Sequence, residues 1–231
     1  MKKKLVVLSG AGMSKESGLD TFRDSDGLWA GHNVEDVASI EGFIRNSKLV
    51  LDFYNKRRKE MLFHKPNKGH YIIAQLEEFF DITVITQNVD NYHEQAGSSK
   101  VIHLHGELMK SRPVNDPYTV YDITEDNIEI NLGDTDSNGN QLRPFIVWFG
   151  ENVPEYDRAL REVQECDIFL IIGTSLKVYP AAGLVAYVPA KSKVYIIDPN
   201  NVDNGYRTDI THIEKGAVEG MEVLKRILCN N

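Results

Sequence analysis

Short runs of apolar and β-branched residues recur along this chain, and most of them end in a small polar loop. KLVVL at 4–8 runs straight into SGAG. FFDITVITQNVD at 79–90 reads as a strand ending in a polar loop, VIHLHG at 101–106 as a short strand, and RPFIVWFG at 143–150 as another, with Pro144 at its start. DIFLIIGTSL at 167–176 and KVYIIDPN at 193–200 repeat the pattern. Helical spacing lies between the runs. Residues 12–19 start a short helix, and Leu49, Val50, Phe53, Tyr54, Arg57 and Met61 recur at three and four within 44–62. The segments 155–165, 181–188 and 217–228 complete the predicted helices. Strands apolar on both faces, alternating with helices, predict an α/β fold with a parallel sheet covered on both sides. Such sheets bind ligands at the carboxyl ends of their strands. The polar loops SGAGMS, TQNVDN, HGE, WFGE, GTS and DPNN fall at those ends. Residues 111–142 break the pattern: they are polar, turn-rich (NLGDTDSNGN) and read as a long loop or part of a small inserted module.

Length and composition narrow the picture. With 231 residues, the chain is one domain or one domain carrying a small insert. A hydrophobic content of 42% with 26% charged residues excludes a disordered or fibrous chain. Acidic residues outnumber basic ones, 34 to 26, so the surface is a poor footprint for nucleic acid. Two cysteines, Cys166 and Cys229, cannot make a disulfide framework or a four-thiolate zinc site. No apolar run approaches the roughly 20 residues of a membrane helix. MKKKLVVLSGAG reads as a first strand with a lysine lead-in rather than a leader, which predicts a cytoplasmic protein with no membrane partner.

Four constellations carry candidate chemistry. Gly10-Ala11-Gly12 follows a strand, where a glycine turn admits a pyrophosphate, although Lys15 stands where the dinucleotide fingerprint has its third glycine. A purely structural turn is the alternative. Thr86-Gln87-Asn88-Val89-Asp90 offers side chains suited to ribose hydroxyls and a carboxamide, or to capping the next helix. His103-Leu104-His105-Gly106 puts two histidines on one face of a strand, either as metal ligands or as a general base and its neighbour. No third ligand is evident near them, and Gly106 would let a ligand come close. Tyr54 and Arg57 share a helix face, where Lys56, Arg58 and Lys59 make an exposed basic face the alternative reading.

Taken together, these segments resemble the sirtuins (Sir2 family), NAD-dependent protein lysine deacylases. The segments are GAGMSKESGLDTFRDSDGLW at 10–29, TQNVDNYHEQAG at 86–97, VIHLHGEL at 101–108, RPFIVWFGENVP at 143–154, GTSLKVYPAAGL at 173–184 and the strand at 193–200. The TFR triplet and the stretch from Phe53 to Arg58 are most similar to CobB-type bacterial sirtuins. The resemblance implies a Rossmann-like NAD part over 1–30, 70–106 and 143–231, and a small inserted domain over 31–69 and 107–142. It implies pyrophosphate contacts at Gly10, Ala11 and Gly12, Phe22 shielding the ribose face, and Arg23 beside the phosphates. Gln87, Asn88 and Asp90 would line the nicotinamide and ribose pockets, and Gly173, Thr174 and Ser175 the adenosine side. Further cofactor contacts are implied at Ser14, Trp29, Asp198, Pro199, Asn200 and Ala217. His105 would be the general base, and the backbone of Val147, Trp148, Phe149 and Gly150 would pair with an acyl-lysine peptide. Tyr54 and Arg57 would read an acidic acyl group, so succinyl- or malonyl-lysine are expected substrates beside acetyl-lysine. The implied products are free lysine, nicotinamide and acyl-ADP-ribose.

The sequence departs from the sirtuin pattern in three places. Asp198 stands where the family usually has Asn, and position 103 is His. The stretch 111–142, where the family keeps four zinc cysteines, has none, and Asp116, Asp122, Asp134 and Asp136 are hard donors poorly suited to zinc. No zinc and no other metal is therefore expected, with Tyr118, Tyr121, Ile123, Ile128 and Ile130 holding the module by packing. Mono-ADP-ribosyl transfer or NAD hydrolysis on the same site remains the rival activity. A sensor that binds without catalysis would be expected to lack His105, and a dehydrogenase fits the glycine pattern poorly. The oligomeric state is not legible.

Overall fold

The computed structural model describes residues 2–19, 33–202 and 209–229. The elements run β1 (Lys4–Ser9), α1 (Gly12–Lys15), α2 (Val34–Val37), α3 (Ile40–Arg45), α4 (Ser47–Phe63), α5 (Lys68–Gln75), β2 (Asp81–Thr86), α6 (Tyr92–Gln95), β3 (Val101–His103), β4 (Gly106–Pro113), β5 (Tyr121–Asp122), β6 (Leu142–Ile146), α7 (Tyr156–Gln164), β7 (Ile168–Ile172), β8 (Lys193–Ile197), β9 (Ile210–Ile213) and α8 (Ala217–Cys229). Leu76–Glu78 and Ala181–Tyr187 are 3-10 turns. None of the described helices is long and apolar enough to cross a membrane.

Six parallel strands form the main sheet in the order β3-β2-β1-β7-β8-β9. Counted within this sheet, that is the Rossmann order 3-2-1-4-5-6, with the switch point between β1 and β7. Successive side chains of a strand face opposite ways, and β1 feeds both layers of the core. Leu5 and Val7 pack with Ile72, Ile73, Met221 and Leu224 of α5 and α8. Val6 and Leu8 pack with Ala159, Val163, Leu184 and Val185 on the other face. Each such side chain contributes roughly 1.5–3 kcal/mol by leaving water, which is why strands this short hold the sheet together.

Beside it lies a three-stranded antiparallel sheet, β5-β4-β6. Its core joins Leu108, Ile130 and Ile146 to Val50, Leu51, Tyr54 and Met61 of α4 and to Trp148. Polar groups of α4 grip this module. Asn55 exchanges two hydrogen bonds of 2.9 Å with the backbone of Ile130. Arg58, fully buried, donates to the carbonyls of Leu108 at 2.6 Å and Ile128 at 2.5 Å. Of the residues expected to pack there, Ile130 is buried and Ile123 packs at the edge, whereas Tyr118 and Tyr121 are exposed.

Three expectations change. The run at 143–150 forms a strand only over Leu142–Ile146, and that strand pairs with β4 outside the parallel sheet. VIHLHG is two strands, not one: β3 ends at His103, and β4 starts at Gly106 in the other sheet. The crossing depends on Gly106, whose φ is +82° and whose absent Cβ would lie 2.0 Å from the Phe145 carbonyl oxygen. Its missing side chain therefore makes room for the chain itself rather than for a ligand. The segment 181–188 takes the tighter 3-10 form.

Candidate active site

The carboxyl ends of β1, β2, β7 and β8 open onto a cleft of about 730 Å³ at the switch point. Gly10, Ala11 and Gly12 form one wall and Gly173, Thr174 and Ser175 the facing one. The glycines let these walls meet. A Cβ on Gly10 would come within 2.7 Å of the Thr174 side chain, and one on Gly173, whose φ is +62°, within 2.2 Å of the Met13 nitrogen. Backbone hydrogen bonds from Gly10 to Ile172 (3.0 Å) and Gly12 to Gly173 (2.8 Å) lock the pair. Asp198, Pro199, Asn200 and Ala217 line the same cleft, as do Gln87, Asn88 and His105, and Tyr54, Arg57 and Val147–Gly150.

His105 follows β3, in the turn between the two sheets. Its Nδ1 lies 3.0 Å from the Gln87 carbonyl oxygen. A carbonyl only accepts, so Nδ1 carries the proton and Nε2 keeps its lone pair. Burial, partly offset by the Gln87 hydrogen bond, holds the imidazole below its ordinary pKa. It is therefore neutral, and basic at one defined atom, near neutral pH. Gln87 is fixed in turn, its side-chain amide donating to Thr174 Oγ1 at 3.1 Å.

The two histidines of H-x-H do not share a site. His103 points to Glu94, with Nε2 to Oε1 at 2.7 Å and Nδ1 3.3 Å from the Asn88 carbonyl. Burial works against its charge, but the Glu94 carboxylate outweighs that and raises its pKa. Where the sequence showed no third ligand, the fold brings Glu94 and Glu107 to His103. Glu107 is already paired with Lys110 at 2.8 Å.

Asp90 and Ser14 do not line the cleft; they stand behind it. Asn88 Nδ2 donates to Ser14 Oγ at 3.2 Å, and Ser14 Oγ donates to Asp90 Oδ2 at 2.9 Å. Burial pushes the Asp90 carboxyl up, against hydrogen bonds from Tyr92 and Ser14. Phe22, Arg23 and Trp29 lie outside the described residues.

Tyr54 and Arg57 sit on one face of α4 and both reach the cleft. Arg57 is buried and pairs with Glu60, Nη1 to Oε2 at 3.1 Å. Tyr54 Oη accepts a hydrogen bond from Trp148 Nε1 at 3.0 Å. Phe53, Val34, Ala38, Val178, Tyr179 and Glu16 also line the cleft. None of them is assigned to the site from sequence, although Glu16, Val178 and Tyr179 lie in the segments that carry the resemblance and Phe53 adjoins Tyr54 in FYNKRR.

Residues 10–180 match the Sir2 family. The chain belongs to the Sir2 family. It is 56% identical to an NAD-dependent protein deacylase of Bacteroides thetaiotaomicron, covering 98% of each chain. It is 47% identical to an NAD-dependent protein deacylase of Helicobacter pylori, covering 96% of each. A solved Sir2 homologue in complex with NAD superposes at a TM-score of 0.89 with 37% identity, over 99% of this chain and 90% of that one. A Sir2–p53 peptide–NAD+ complex gives 0.82 at 30% identity, over 100% and 95%. The sirtuin fold accounts for both sheets, the larger Rossmann-like one and the smaller antiparallel one.

Proposed function

We infer that this sirtuin is an NAD-dependent protein lysine deacylase that also removes succinyl and malonyl groups. The observation that carries the deacylase reading is His105: a neutral imidazole, its tautomer set by Gln87, on the wall of a switch-point cleft. The residues present suit a dinucleotide. Tight glycine turns approach from two strands, Asp198 has acceptors for ribose hydroxyls, and Gln87 and Asn88 suit a carboxamide. NAD, when bound, supplies a glycosidic bond whose cleavage releases nicotinamide and leaves ADP-ribose to take the acyl group.

The chain's own residues do the rest. His105 Nε2 takes a proton from a ribose hydroxyl. Asn88, backed by Ser14 and Asp90, holds its place in the cleft wall. The Val147–Gly150 stretch, whose Val147, Trp148 and Phe149 N–H groups already donate to His105, Glu151 and Ala38, would take an extended acyl-lysine peptide through its carbonyls; a solved Sir2 relative is a complex with a p53 peptide. The NAD part is proposed as 1–30, 70–106 and 143–231 and the small part as 31–69 and 107–142, except that Gly106 and Arg143–Ile146 pair within the small antiparallel sheet; the acyl chain would lie between the two parts.

Support for acidic acyl groups comes from the guanidinium of Arg57 and the hydroxyl of Tyr54 in the same cleft. The test compares kcat/KM for succinyl and acetyl peptides in wild type and Arg57→Met. The expected result is a succinyl-to-acetyl ratio that falls by tenfold or more; an unchanged ratio would sink the acidic-acyl reading.

We also propose that no structural zinc is present. No thiol lies in 107–142. Asp136 there accepts from the Asn138 and Asn140 amides, and Asp134 from Asn131, so these carboxylates serve their own loop. The donor set does not fit a thiolate metal.

A further inference from the structure

In the wall of the cleft, one hydrogen bond has a fixed direction. An indole N–H only donates, so Trp148 Nε1, 3.0 Å from Tyr54 Oη, makes the phenol oxygen the acceptor. A phenol has one proton of its own, and that proton must then point elsewhere.

The indole is held firmly. The Arg143 guanidinium lies 3.2 Å above the ring centroid, and Phe43 packs at 5.3 Å. The Trp148 backbone N–H donates to Glu151 Oε2 at 2.8 Å. Arg143 grips both oxygens of Glu151, at 2.8 and 3.0 Å, and Arg112 adds a bond of 2.9 Å. This network ties β4 and β6 to the Val147–Glu151 loop. Burial is the largest influence on the Tyr54 hydroxyl and pushes its pKa well up, so the group keeps its proton.

We propose that Trp148 is a positioning residue for acyl selection: its N–H occupies the acceptor side of the Tyr54 hydroxyl and turns that hydroxyl into a dedicated donor. The ligand end that satisfies it is a hydrogen-bond acceptor, such as a terminal carboxylate. An acetyl methyl cannot use it, and a terminal group that only donates would be rejected. This rests on the acidic-acyl reading of Tyr54 and Arg57 and assigns a cause for part of it.

The test replaces Trp148 by benzothienylalanine, which keeps the ring's shape and its stack on Arg143 but lacks the N–H. Kinetics are measured with succinyl and acetyl peptides, alone and in the Tyr54→Phe background. The expected result is a succinyl-to-acetyl ratio of kcat/KM lowered by about fivefold, the worth of one hydrogen bond. In the Tyr54→Phe background the replacement should leave the ratio where it was. Equal losses on both peptides, or an unmoved ratio while Arg57→Met still lowers it, would overturn the role of Trp148 and leave the acidic-acyl reading standing. A ratio unmoved by Arg57→Met as well would overturn both.

Discussion

His105 presents one lone pair, and one backbone carbonyl decides which nitrogen carries it; as the proposed base it would act through that atom. Replacing it with Asn or Tyr removes the base, and deacylation should fall by roughly 10²–10⁴-fold, the usual worth of general base catalysis, with the fold intact by circular dichroism. Burial holds the imidazole below its ordinary value, so it stays in its active, neutral form as acid is added. The acid limb of kcat/KM should therefore inflect below about 6.5, the ordinary histidine value; an inflection above that would contradict the assignment. Arg57 already has a counterion in Glu60, at 3.1 Å on the open side of the helix. An acyl carboxylate must share or displace it. Glu60→Gln should raise kcat/KM for succinyl peptide by about two- to fivefold, since a half-exposed pair is worth ~1 kcal/mol or less, with little change for acetyl peptide. Local chemistry left His103-Leu104-His105 open between metal ligands and a base with its neighbour, and only the resemblance proposed His105 as the base. The divergence of His103 and His105 was not legible in the sequence, because the strand that would have aligned them ends between them.

At the scale of elements, α5 rests on a pair of buried histidines. His70 Nδ1 accepts the Asn67 N–H in the capping box that starts the helix, and its ring lies 4.9 Å from that of His93. His93 Nε2 meets Ser9 Oγ at 3.0 Å, beneath the Thr86–Asn88 turn. Burial lowers His70 to about 4 and His93 well below the ordinary value. The unfolded chain binds protons at these sites from about pH 6.5 downward, while the folded chain resists, so stability falls as pH falls. His70 alone should cost about 2 kcal/mol by pH 5. Urea midpoints should drop between pH 7 and 5, and His70→Gln should flatten that slope. In the small module, Asn55→Ala leaves both backbone groups of Ile130 without their buried partner. It should destabilise by roughly 2–4 kcal/mol. A thermal midpoint within a degree of wild type would refute the clamp. β1, β7 and β8 were plain in the sequence because central parallel strands are apolar on both faces. Sheet membership was not plain for Leu142–Ile146, because an apolar run does not name its partner. β9, Ile-Thr-His-Ile at the sheet edge, has too few apolar positions to stand out.

For the molecule as a whole, the sequence placed glycine turns at the strand ends and suggested a pyrophosphate for them, but not that the turns lock onto each other. Gly10, Gly12 and Gly173 let two loops interlock across the switch point, and that interlock shapes the wall offered to the dinucleotide. The small module contains no cysteine, and its contacts to α4 come from side-chain hydrogen bonds and packing. Elemental analysis of purified protein should find no stoichiometric zinc, and one zinc per chain would contradict the metal-free proposal. The most direct test of the central claim is product analysis. Acyl-lysine peptide and NAD are incubated with the enzyme, and the products are quantified by mass spectrometry. Deacylated peptide, nicotinamide and acyl-ADP-ribose should form in equal amounts, and none without NAD. Nicotinamide accompanied by free ADP-ribose or an ADP-ribosylated protein, with the peptide still acylated, would contradict the account.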